Sequence, residues 1–229
     1  MAEAAPDRPD MLAAALAYAA AGWPVFPVSA IDKQPLLGPL PGVPGSGGLH
    51  RATQQEALIR DWWREWPTAM IGLPTGPAIG AFVVDLDAGV DDKTGEIFEA
   101  EQLLANLAAE IGVAIPATLT VETPRGGRHL YFPWPKARVR NRQGIVHRVD
   151  VRGDGGYVIA PPSQRSDGRA YRWLGDRHMI PPPAPDELLD LILRLGRWSR
   201  EAAAENGRSD ARPPADVDEA LRKYALARS

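Results

Sequence analysis

The sequence predicts an α+β fold, and three observations support this prediction. Apolar segments with the alternation or compactness of strands are interspersed with segments in which apolar residues recur at helical spacing. These segments do not follow the strict strand–helix–strand rhythm that a parallel α/β sheet requires. The chain has 229 residues, of which 45% are hydrophobic and 24% charged, so it has an ordinary globular composition and enough length to bury a core.

Helical patterns recur along the whole chain. Asp10 stands where a helix N-cap is expected, and Thr53 precedes a second helix with Glu56 at the position of a capping box. Gly22 and Gly112 follow two of the helical patterns, as is typical of helix C-termini. The predicted helices are 9–21, Thr53–Trp66, Thr94–Ile111, Asp186–Trp198 and Asp216–Ala227.

Strand patterns fill much of the intervening sequence. Pro24 and Pro27 cannot donate to a sheet ladder, so the strand that contains them is predicted at a sheet edge. The proline- and glycine-rich residues 29–49 that follow are predicted to form a loop. The predicted strands are Trp23–Val28, Ala69–Leu73, Ile79–Leu86, Thr118–Glu122, His129–Trp134, His147–Arg152 and Tyr157–Ala160.

Residue types and segments that the sequence lacks exclude several function classes. The chain has no cysteine, which excludes disulfides, thiolate nucleophiles, iron–sulfur clusters and cysteine-based zinc sites. The most apolar run, Met11 to Val28, is interrupted by glycine and prolines and is too broken to span a bilayer. Acidic residues precede that run where a signal peptide carries positive charge. We therefore expect a soluble cytoplasmic protein with no membrane partner.

Charge is distributed unevenly along the chain. The net charge is −3, but residues 125–177 carry 12 basic and 4 acidic side chains, a net charge of +8. A general preference for arginine accounts for the excess of Arg over Lys, but it does not account for the scarcity of acids in this segment. A basic segment within an acidic chain predicts a surface that faces an anion such as nucleic acid or phosphate.

Two carboxylates stand at the end of the apolar strand Ile79–Leu86. Because alternate residues of a strand share a face, Asp85 and Asp87 are predicted to project together while Leu86 faces the core. Two adjacent carboxylates repel each other, and a divalent cation such as Mg²⁺ or Mn²⁺ removes that penalty. Aspartate is also common where a strand simply enters a turn, and both interpretations stay open at this point.

A third carboxylate lies on the predicted strand His147–Arg152. Alternation places Arg148, Asp150 and Arg152 on one face of that strand. This pattern indicates an ion cluster or a phosphate-and-metal site, and a solvent-facing strand of mixed charge is the plain alternative. The glycines within 153–156 allow either the close approach of a ligand or an ordinary hairpin connection.

The histidine with the most informative setting is His129, which follows two glycines. His129 and Tyr131 are predicted to share one strand face, opposite Leu130 and Phe132. An imidazole there can bind a metal, donate to a phosphate or act as an acid or base. A histidine with a purely structural role is the alternative.

Together these motifs resemble the catalytic domain of archaeo-eukaryotic-type primases, and most closely the bifunctional primase–polymerase (Prim-Pol) domain of phage, plasmid and bacterial replication proteins. That family has D-x-D after a hydrophobic strand, then small-x-His, then hydrophobic-Asp. The resemblance spans about residues 11–195 and includes the segments ALAYAAAGWPVFPVSAIDKQPL, IGLPTG and DVRGDGGYVIAPPS. Gly127 stands where the family often has serine, and Lys33 lacks the glycine that often precedes it. The three motifs are matched by Asp85-Leu86-Asp87, Gly127-Arg128-His129 and Val149-Asp150.

The resemblance implies a primase-type catalytic core with an RRM-like sheet beside an N-terminal α/β lobe. It implies that Asp85, Asp87 and Asp150 hold two Mg²⁺ or Mn²⁺ ions and, with His129, form the catalytic set. His129 would also contact the triphosphate. The other implied nucleotide contacts are Arg128, Arg152, Lys33, Thr75 and Gly76, and the expected template DNA contacts are Arg138, Arg140, Arg142, Arg165 and Arg169.

The activity that the resemblance implies is template-directed nucleotidyl transfer, which synthesises primers or extends DNA on a single-stranded template from NTPs or dNTPs. Tyr131, Trp134 and Trp173 are candidates for stacking on bases. Residues 1–205 would form the catalytic domain, and 206–229 a linker and short C-terminal helix. The chain would then be either the front of a longer primase–helicase, with a helicase domain or protein as partner, or a stand-alone protein.

Two other functions remain open from the residues alone. A metal-dependent nuclease or phosphodiesterase can use the same carboxylates, with His129 as the base that activates water. A replication-associated DNA-binding module that has lost catalysis is the third possibility. Substitution of Asp85 separates the three functions, because each assigns that carboxylate a different role.

Overall fold

Two antiparallel β-sheets organise the fold, and a separate two-stranded hairpin accompanies them. The computed structural model describes residues 9–91 and 93–205, with side chains up to residue 195. In chain order the elements are α1 (Met11–Ala20), β1 (Phe26–Val28), a short 3₁₀ helix (Gly48–Arg51), α2 (Glu56–Glu65), β2 (Met70–Pro74), β3 (Ala81–Leu86), β4 (Gly89–Val90), β5 (Ile97–Phe98), α3 (Ala100–Ile111), β6 (Thr120–Glu122), β7 (Arg128–Pro133), β8 (Arg142–Val146), β9 (Val149–Arg152), β10 (Tyr157–Ala160), β11 (Arg172–Leu174) and α4 (Asp186–Glu205). The large sheet has the order β11-β6-β7-β3-β9-β8, the small sheet has the order β1-β2-β10, and β4 pairs with β5.

The two faces of the large sheet are buried in two different cores. Val83 and Tyr131 point towards a core that also contains residues of the small sheet, α1 and α2. Phe82 and Val84 point to the other face, which is covered by α3 and α4. Because β3 is buried on both faces, it has the continuous apolar sequence of a central strand. The mixed helices and antiparallel sheets confirm the predicted α+β class.

The first helix and strand agree with the sequence patterns. The Asp10 side chain caps α1 by accepting a hydrogen bond from the backbone N–H of Ala13 at 2.9 Å. The proline-containing β1 lies at an edge of the small sheet, as predicted, where Pro27 deprives no inner strand of a partner. These two elements bring the chain to the loop 29–34, which later forms part of the candidate site.

Two predicted helix starts were wrong. Thr53 does not cap α2, because its backbone pairs with Val25 in two hydrogen bonds of 3.0 Å and is therefore extended. The second helix begins only at Glu56, with Gln55 as its N-cap. The third helix, predicted from Thr94, begins at Ala100 because the preceding residues form β5 and pair with β4.

Two polar edge strands, β8 and β11, were not predicted, because neither shows apolar alternation. The glycines within 153–156 do not form a hairpin connection, since β9 belongs to the large sheet and β10 to the small one. A Cβ at Gly153 would collide with the Val139 carbonyl oxygen, and one at Gly156 with the Asn141 side chain. Glycine is therefore required where the chain crosses between the sheets.

The last helix, α4, continues to Glu205, beyond the predicted end at Trp198. The predicted linker at 206–214, the predicted helix Asp216–Ala227 and the domain boundary at 205/206 involve residues outside the described ranges. Within residues 9–91 and 93–205, none of the helices combines the length and apolar character needed to cross a membrane.

Candidate active site

Three of the predicted catalytic residues form one row across the centre of the large sheet. Asp85 on β3 lies directly opposite His129 on β7 and, on its other side, directly opposite Asp150 on β9. Because paired residues in an antiparallel sheet point to the same face, the three side chains lie side by side. They share the face that carries Val83 and Tyr131, which is turned towards the small sheet. The fold thus gathers residues from three distant segments.

Arg152 links the two carboxylates of this row. Its Nε and Nη2 donate to Asp85 Oδ2 at 3.2 and 3.1 Å, and its Nη2 donates to Asp150 Oδ2 at 2.9 Å. Asp85 and Asp150 are mostly buried, and one guanidinium between them offsets their mutual repulsion. The predicted pairing of Asp150 with Arg152 is therefore present.

Asp150 has the environment of a carboxylate that attracts a cation. Its Oδ1 accepts a hydrogen bond from the Gly144 backbone N–H at 2.8 Å. Burial raises the pKa of the Asp150 carboxyl, and the charges of Asp85 and Asp87 raise it further, although the Gly144 N–H and Arg152 act in the opposite direction. A positive charge added beside this group would be stabilised by it.

The prediction that Arg148 flanks Asp150 on the same strand face was wrong. Arg148 lies in the turn between β8 and β9 with a φ of 58°, so strand alternation does not apply to it. Its Nε donates to the Asp87 carbonyl oxygen at 2.8 Å, its Nη1 lies 3.3 Å from Asp91 Oδ2, and its guanidinium lies 4.6 Å from the centre of the Phe98 ring. Arg148 therefore holds the segment that follows β3 in place.

Asp87 differs from Asp85 in its exposure. The side chain of Asp87 is 63% exposed and that of Asp85 only 17%, because Asp87 follows the last residue of β3. The backbone N–H of Asp87 donates to the Arg148 carbonyl oxygen at 2.9 Å, which fixes the main chain there. Asp87 consequently stands at the rim of the site while Asp85 and Asp150 form its floor.

His129 is almost fully enclosed, with 6% of its surface exposed. Its Nε2 lies 3.6 Å from Asp85 Oδ1, and its Nδ1 is buried without a hydrogen-bond partner in the described part of the chain. Burial lowers the pKa of the imidazole, and the nearby Arg152 and Lys33 lower it too, while Asp85 opposes them. His129 is thus a neutral ring at neutral pH. Its predicted contact with a triphosphate stays a prediction.

A cleft of about 550 Å³ opens beside Asp87, and four cationic side chains line it. We call it the cationic cleft, and its basic residues are Lys33, Arg125, Arg165 and Arg169. Lys33 was predicted to contact nucleotide, and Arg165 and Arg169 to contact DNA. Arg125 was not singled out, although its place directly before the two glycines of the histidine motif was a usable signal.

Two contacts hold the loop 29–34 over the cationic cleft. The Tyr157 hydroxyl donates to the Lys33 carbonyl oxygen at 2.8 Å, and Arg165 Nη2 donates to the Ile31 carbonyl oxygen at 2.6 Å. The Nε of Arg165 is buried without a partner in the described residues, so part of its donor capacity is unused. Removal from bulk water and the Arg165 charge lower the pKa of the Lys33 ammonium, while Asp85 and Asp87 raise it. A mobile anion would relieve this crowding of cations.

A family model described as bifunctional DNA primase/polymerase, N-terminal, matches residues 15–187, which is most of the chain and includes every residue of the site. The chain belongs to the Prim-Pol family. Membership supports DNA primase or polymerase activity, and a place in DNA replication, in general terms. No curated protein matches the chain.

The small residue of the second Prim-Pol motif has a steric role in this chain. A Cβ on Gly127 would collide with the Leu86 carbonyl oxygen and would lie 2.9 Å from Thr123 Oγ1. The backbone before the histidine therefore packs directly against the backbone between Asp85 and Asp87. This contact explains why glycine occupies the position here.

Thr75 and Gly76 have structural partners in this Prim-Pol domain. Thr75 is buried, and its hydroxyl donates to the Gly153 carbonyl oxygen at 2.7 Å. A Cβ on Gly76 would lie 2.9 Å from the Asp154 Cα. Both residues support the segment that leads away from Arg152, and their contact with nucleotide stays a prediction.

Several of the other predicted basic contacts have acidic or backbone partners. Arg128 pairs with Glu101 at 3.1 Å and with Glu122 at 3.3 Å. Arg138 pairs with Asp154. Arg142 donates to the Leu195 carbonyl oxygen on α4. Arg140 is exposed and lies beside Asp154.

The oxygen donors of the row fit a hard divalent cation, and only part of the predicted set is gathered. Asp85 and Asp150 lie side by side and offer oxygen ligands of the kind that Mg²⁺ and Mn²⁺ prefer. Within residues 9–91 and 93–205, no three histidine or acidic side chains converge as a group that could hold one metal ion. The chemistry of the donors thus suits the metal, with Asp87 displaced towards the rim.

Proposed function

We propose that this Prim-Pol domain catalyses template-directed nucleotidyl transfer on single-stranded DNA, synthesising primers or extending DNA from NTPs or dNTPs. The observation that carries the proposal is the row Asp150–Asp85–His129, which opens at Asp87 into the cationic cleft. A carboxylate pair beside several cations has the charge arrangement that binding of a metal–nucleotide complex requires.

Each part of the site has a role in this proposal. Asp85, Asp87 and Asp150 would hold two Mg²⁺ or Mn²⁺ ions, which supply activation of the attacking 3′-oxygen and neutralisation of the leaving pyrophosphate. Lys33, Arg125 and Arg165 would bind the triphosphate, because they project into one cleft whose anionic occupant would balance them. Arg152 bridges Asp85 and Asp150 and offsets the repulsion between them.

We also propose that the large sheet with α3 and α4 is the primase-type core, with an RRM-like sheet, and that the small sheet with α1 and α2 is the N-terminal lobe. What supports this assignment is that all three motifs lie on adjacent central strands, β7, β3 and β9, of one antiparallel sheet. The small lobe contributes Lys33 from its loop, so both lobes would contact the nucleotide.

The test is nucleotide incorporation by the full chain. Unprimed and primed single-stranded templates are incubated with labelled NTPs or dNTPs and Mg²⁺ or Mn²⁺. We expect products from the wild type, and we expect Asp85→Asn to lose them because the substitution removes the central charge of the row while keeping its shape. Asp61→Asn is the matched control, since Asp61 is an exposed aspartate on α2 that pairs with Arg64.

The other outcomes identify the other functions. Degradation of DNA without added nucleotide, lost in Asp85→Asn, would indicate the nuclease. DNA binding with neither synthesis nor degradation on any template would indicate the silent binding module. Either result contradicts the proposed polymerase activity.

A further inference from the structure

A second cleft, of about 810 Å³, lies at the other end of β3 and β7 from the cationic cleft. Its lining includes Ala81 at the start of β3 and Pro133 at the end of β7. The side formed by α1 consists largely of small residues, including Ala14 and Ala17. Four aromatic side chains contribute to it. We call it the aromatic groove and define it by Tyr18, Trp23, Tyr131 and Trp173.

The aromatic rings of the groove form a continuous series. The Trp23 ring is stacked with Tyr18 at 5.9 Å and with Tyr131 at 6.2 Å between ring centres. Trp173 lies 5.7 Å from Tyr131 with the two rings tilted by 48°. Trp173 is on β11, the edge strand of the large sheet, and is only partly buried. It therefore offers aromatic surface on which a flat ligand can stack.

A polar group in the floor of the groove lacks a partner. Tyr131 is 1% exposed, and its hydroxyl has no hydrogen-bond partner in the described part of the chain. The neighbouring Tyr18 hydroxyl is satisfied, because it donates to the Pro161 carbonyl oxygen at 2.7 Å. A buried hydroxyl without a partner is costly, and a ligand with polar ring atoms can supply one. The groove thus combines stacking surface with one unused polar group.

The rim of the groove carries the positive charge of Arg177. Arg177 and His178 are exposed there, with Arg177 Nε donating to His178 Nε2 at 3.2 Å. Neither side chain forms an ion pair with a carboxylate in the described part of the chain, although the His178 backbone N–H donates to Asp176 Oδ1 at 2.8 Å. A flat polar ring with an attached anion therefore matches the groove better than an apolar peptide does.

The groove is also close to the catalytic row. Tyr131 follows His129 by two residues on the same face of β7, an advance of about 7 Å along a strand. The groove and Asp85 therefore lie along the same pair of strands, separated by the buried rings of Tyr131 and His129. Paired bases hide their faces in the duplex, so the groove suits an unpaired strand.

We propose that the aromatic groove binds an unpaired base of single-stranded DNA, stacked on Trp173, with the adjoining phosphate at Arg177. The proposal rests on the proposed function, since it assigns a binding site to the template of the same reaction. It also replaces the sequence-based view of Trp134 as a stacking residue, because Trp134 packs against the α3–α4 core instead.

The test compares the affinity of the full chain for a single-stranded oligonucleotide of mixed sequence with its affinity for the same oligonucleotide made abasic. We expect Trp173→Ala to weaken binding of the normal strand about tenfold, the loss of one base–aromatic stack, and to leave binding of the abasic strand unchanged. Trp173→Phe keeps an aromatic face and should retain most of the affinity. Trp134→Ala is the matched control and should bind both strands like the wild type.

Salt titration separates the two parts of the contact. Trp173→Ala should leave the slope of log affinity against log salt concentration unchanged. Arg177→Ala should reduce that slope by the amount expected for about one phosphate contact. Equal affinity of wild type and Trp173→Ala for the normal strand would overturn the proposal. Binding of dAMP alone, at the concentrations at which the strand binds and weakened in Trp173→Ala, would also overturn the proposal. The groove would then be a site for a free nucleotide and not for a strand.

Failure of this proposal is distinguishable from failure of the proposed function. If the wild type incorporates nucleotides and Trp173→Ala binds the strand normally, only the groove assignment is wrong. If the wild type binds no single-stranded DNA at all, both are wrong. Thermal unfolding of Trp173→Ala and Trp173→Phe shows whether a loss of binding comes from unfolding, and the Phe variant keeps the test decisive in that case.

Discussion

The cationic cleft and the aromatic groove lie at opposite ends of β3 and β7 and are built in opposite ways. Loops line the cationic cleft and bring together Lys33, Arg125, Arg165 and Arg169 from distant parts of the sequence. The aromatic groove is lined mainly by residues of α1, the sheet strands and the segment after β11, and its aromatic rings are packed against one another. If both proposals hold, the two clefts divide the labour of binding, with phosphates in the cationic cleft and bases in the aromatic groove.

The largest expected effect comes from the cationic cleft. Arg165→Ala should weaken dATP binding roughly ten- to hundredfold, because a charge-assisted hydrogen bond is worth about 1.5–3 kcal/mol and because Ile31 loses its anchor. Equilibrium binding of dATP measures this effect. Affinity for single-stranded DNA should change much less, which is the reverse of the pattern expected for Trp173→Ala.

Arg60→Ala is the control for that experiment, since Arg60 lies on α2 and pairs with Glu56 away from both clefts. Equal losses of dATP and DNA affinity in Arg165→Ala would contradict the division between the two clefts. The cationic cleft would then serve both ligands, in line with the sequence-based assignment of Arg165 and Arg169 to DNA.

The two ends of the sheet should also differ in their tolerance of a methyl group. Gly127→Ala should lower the free energy of unfolding by about 3 kcal/mol, because its Cβ meets the Leu86 carbonyl oxygen and backbone cannot easily move aside. Gly80→Ala, beside the aromatic groove, should cost only about 1 kcal/mol, since space is open there and the cost is that of a φ of 65°. Urea unfolding measures both, and equal costs would argue against the tight backbone packing at the motif.

Stability should depend on pH through His129 in the row Asp150–Asp85–His129. The folded-state pKa of His129 is lowered from its ordinary 6.5 by burial, so protonation is harder in the folded protein than in the unfolded chain. The contribution of the neutral ring is therefore complete above pH 6.5 and is lost as the pH falls from 6.5 through the folded-state pKa. Urea unfolding in EDTA at pH 7.5 and 5.5 should show a drop of about 1 kcal/mol.

The variant His129→Gln should show a smaller drop between the same two pH values, because its side chain does not titrate. An identical drop in the variant would assign the pH dependence to other groups. The aromatic groove offers a contrast, since burial raises the pKa of Tyr131 and its hydroxyl stays protonated at both values.

The smallest effect is expected for Arg128, which lies in the chain between Arg125 of the cationic cleft and Tyr131 of the aromatic groove. Its guanidinium is held by Glu101 and Glu122, so Arg128→Ala should change dATP affinity by less than about twofold and cost at most about 1 kcal/mol of stability. Binding and urea unfolding of the one variant test both statements. A tenfold loss of dATP affinity would restore the role of a triphosphate clamp that the motif implies.

Strand alternation explains what could be predicted from the sequence. The neighbours of Asp85, Asp150 and His129 alternate between two buried faces, so their strands and the side on which each residue lies follow from pattern alone. Arg148 was misplaced because alternation fails in a turn, and a positive φ there is not visible in the sequence. Edge strands β8 and β11 were missed because neither shows apolar alternation.

The clefts needed tertiary information that no local pattern contains. Lys33 and Arg165 meet because the backbone near Ile31 and Ala30 bonds to Arg165 and Ser166. Nothing in either segment indicates the other. The concentration of basic residues in 125–177 predicted an anion-binding surface in general, but it did not distinguish residues that face the cleft from those, such as Arg142, that reach α4.

The crossing from β9 to β10 has a consequence for how the protein is made. The small sheet takes β1 and β2 from the beginning of the chain and β10 from a point after nearly all of the large sheet. During synthesis on the ribosome, one edge of β2 therefore stays unpaired until Ala160 has emerged. An unpaired strand edge can associate with other chains. The small sheet therefore cannot be completed until nearly all of the large sheet has been synthesised, and the large sheet is completed only later by β11.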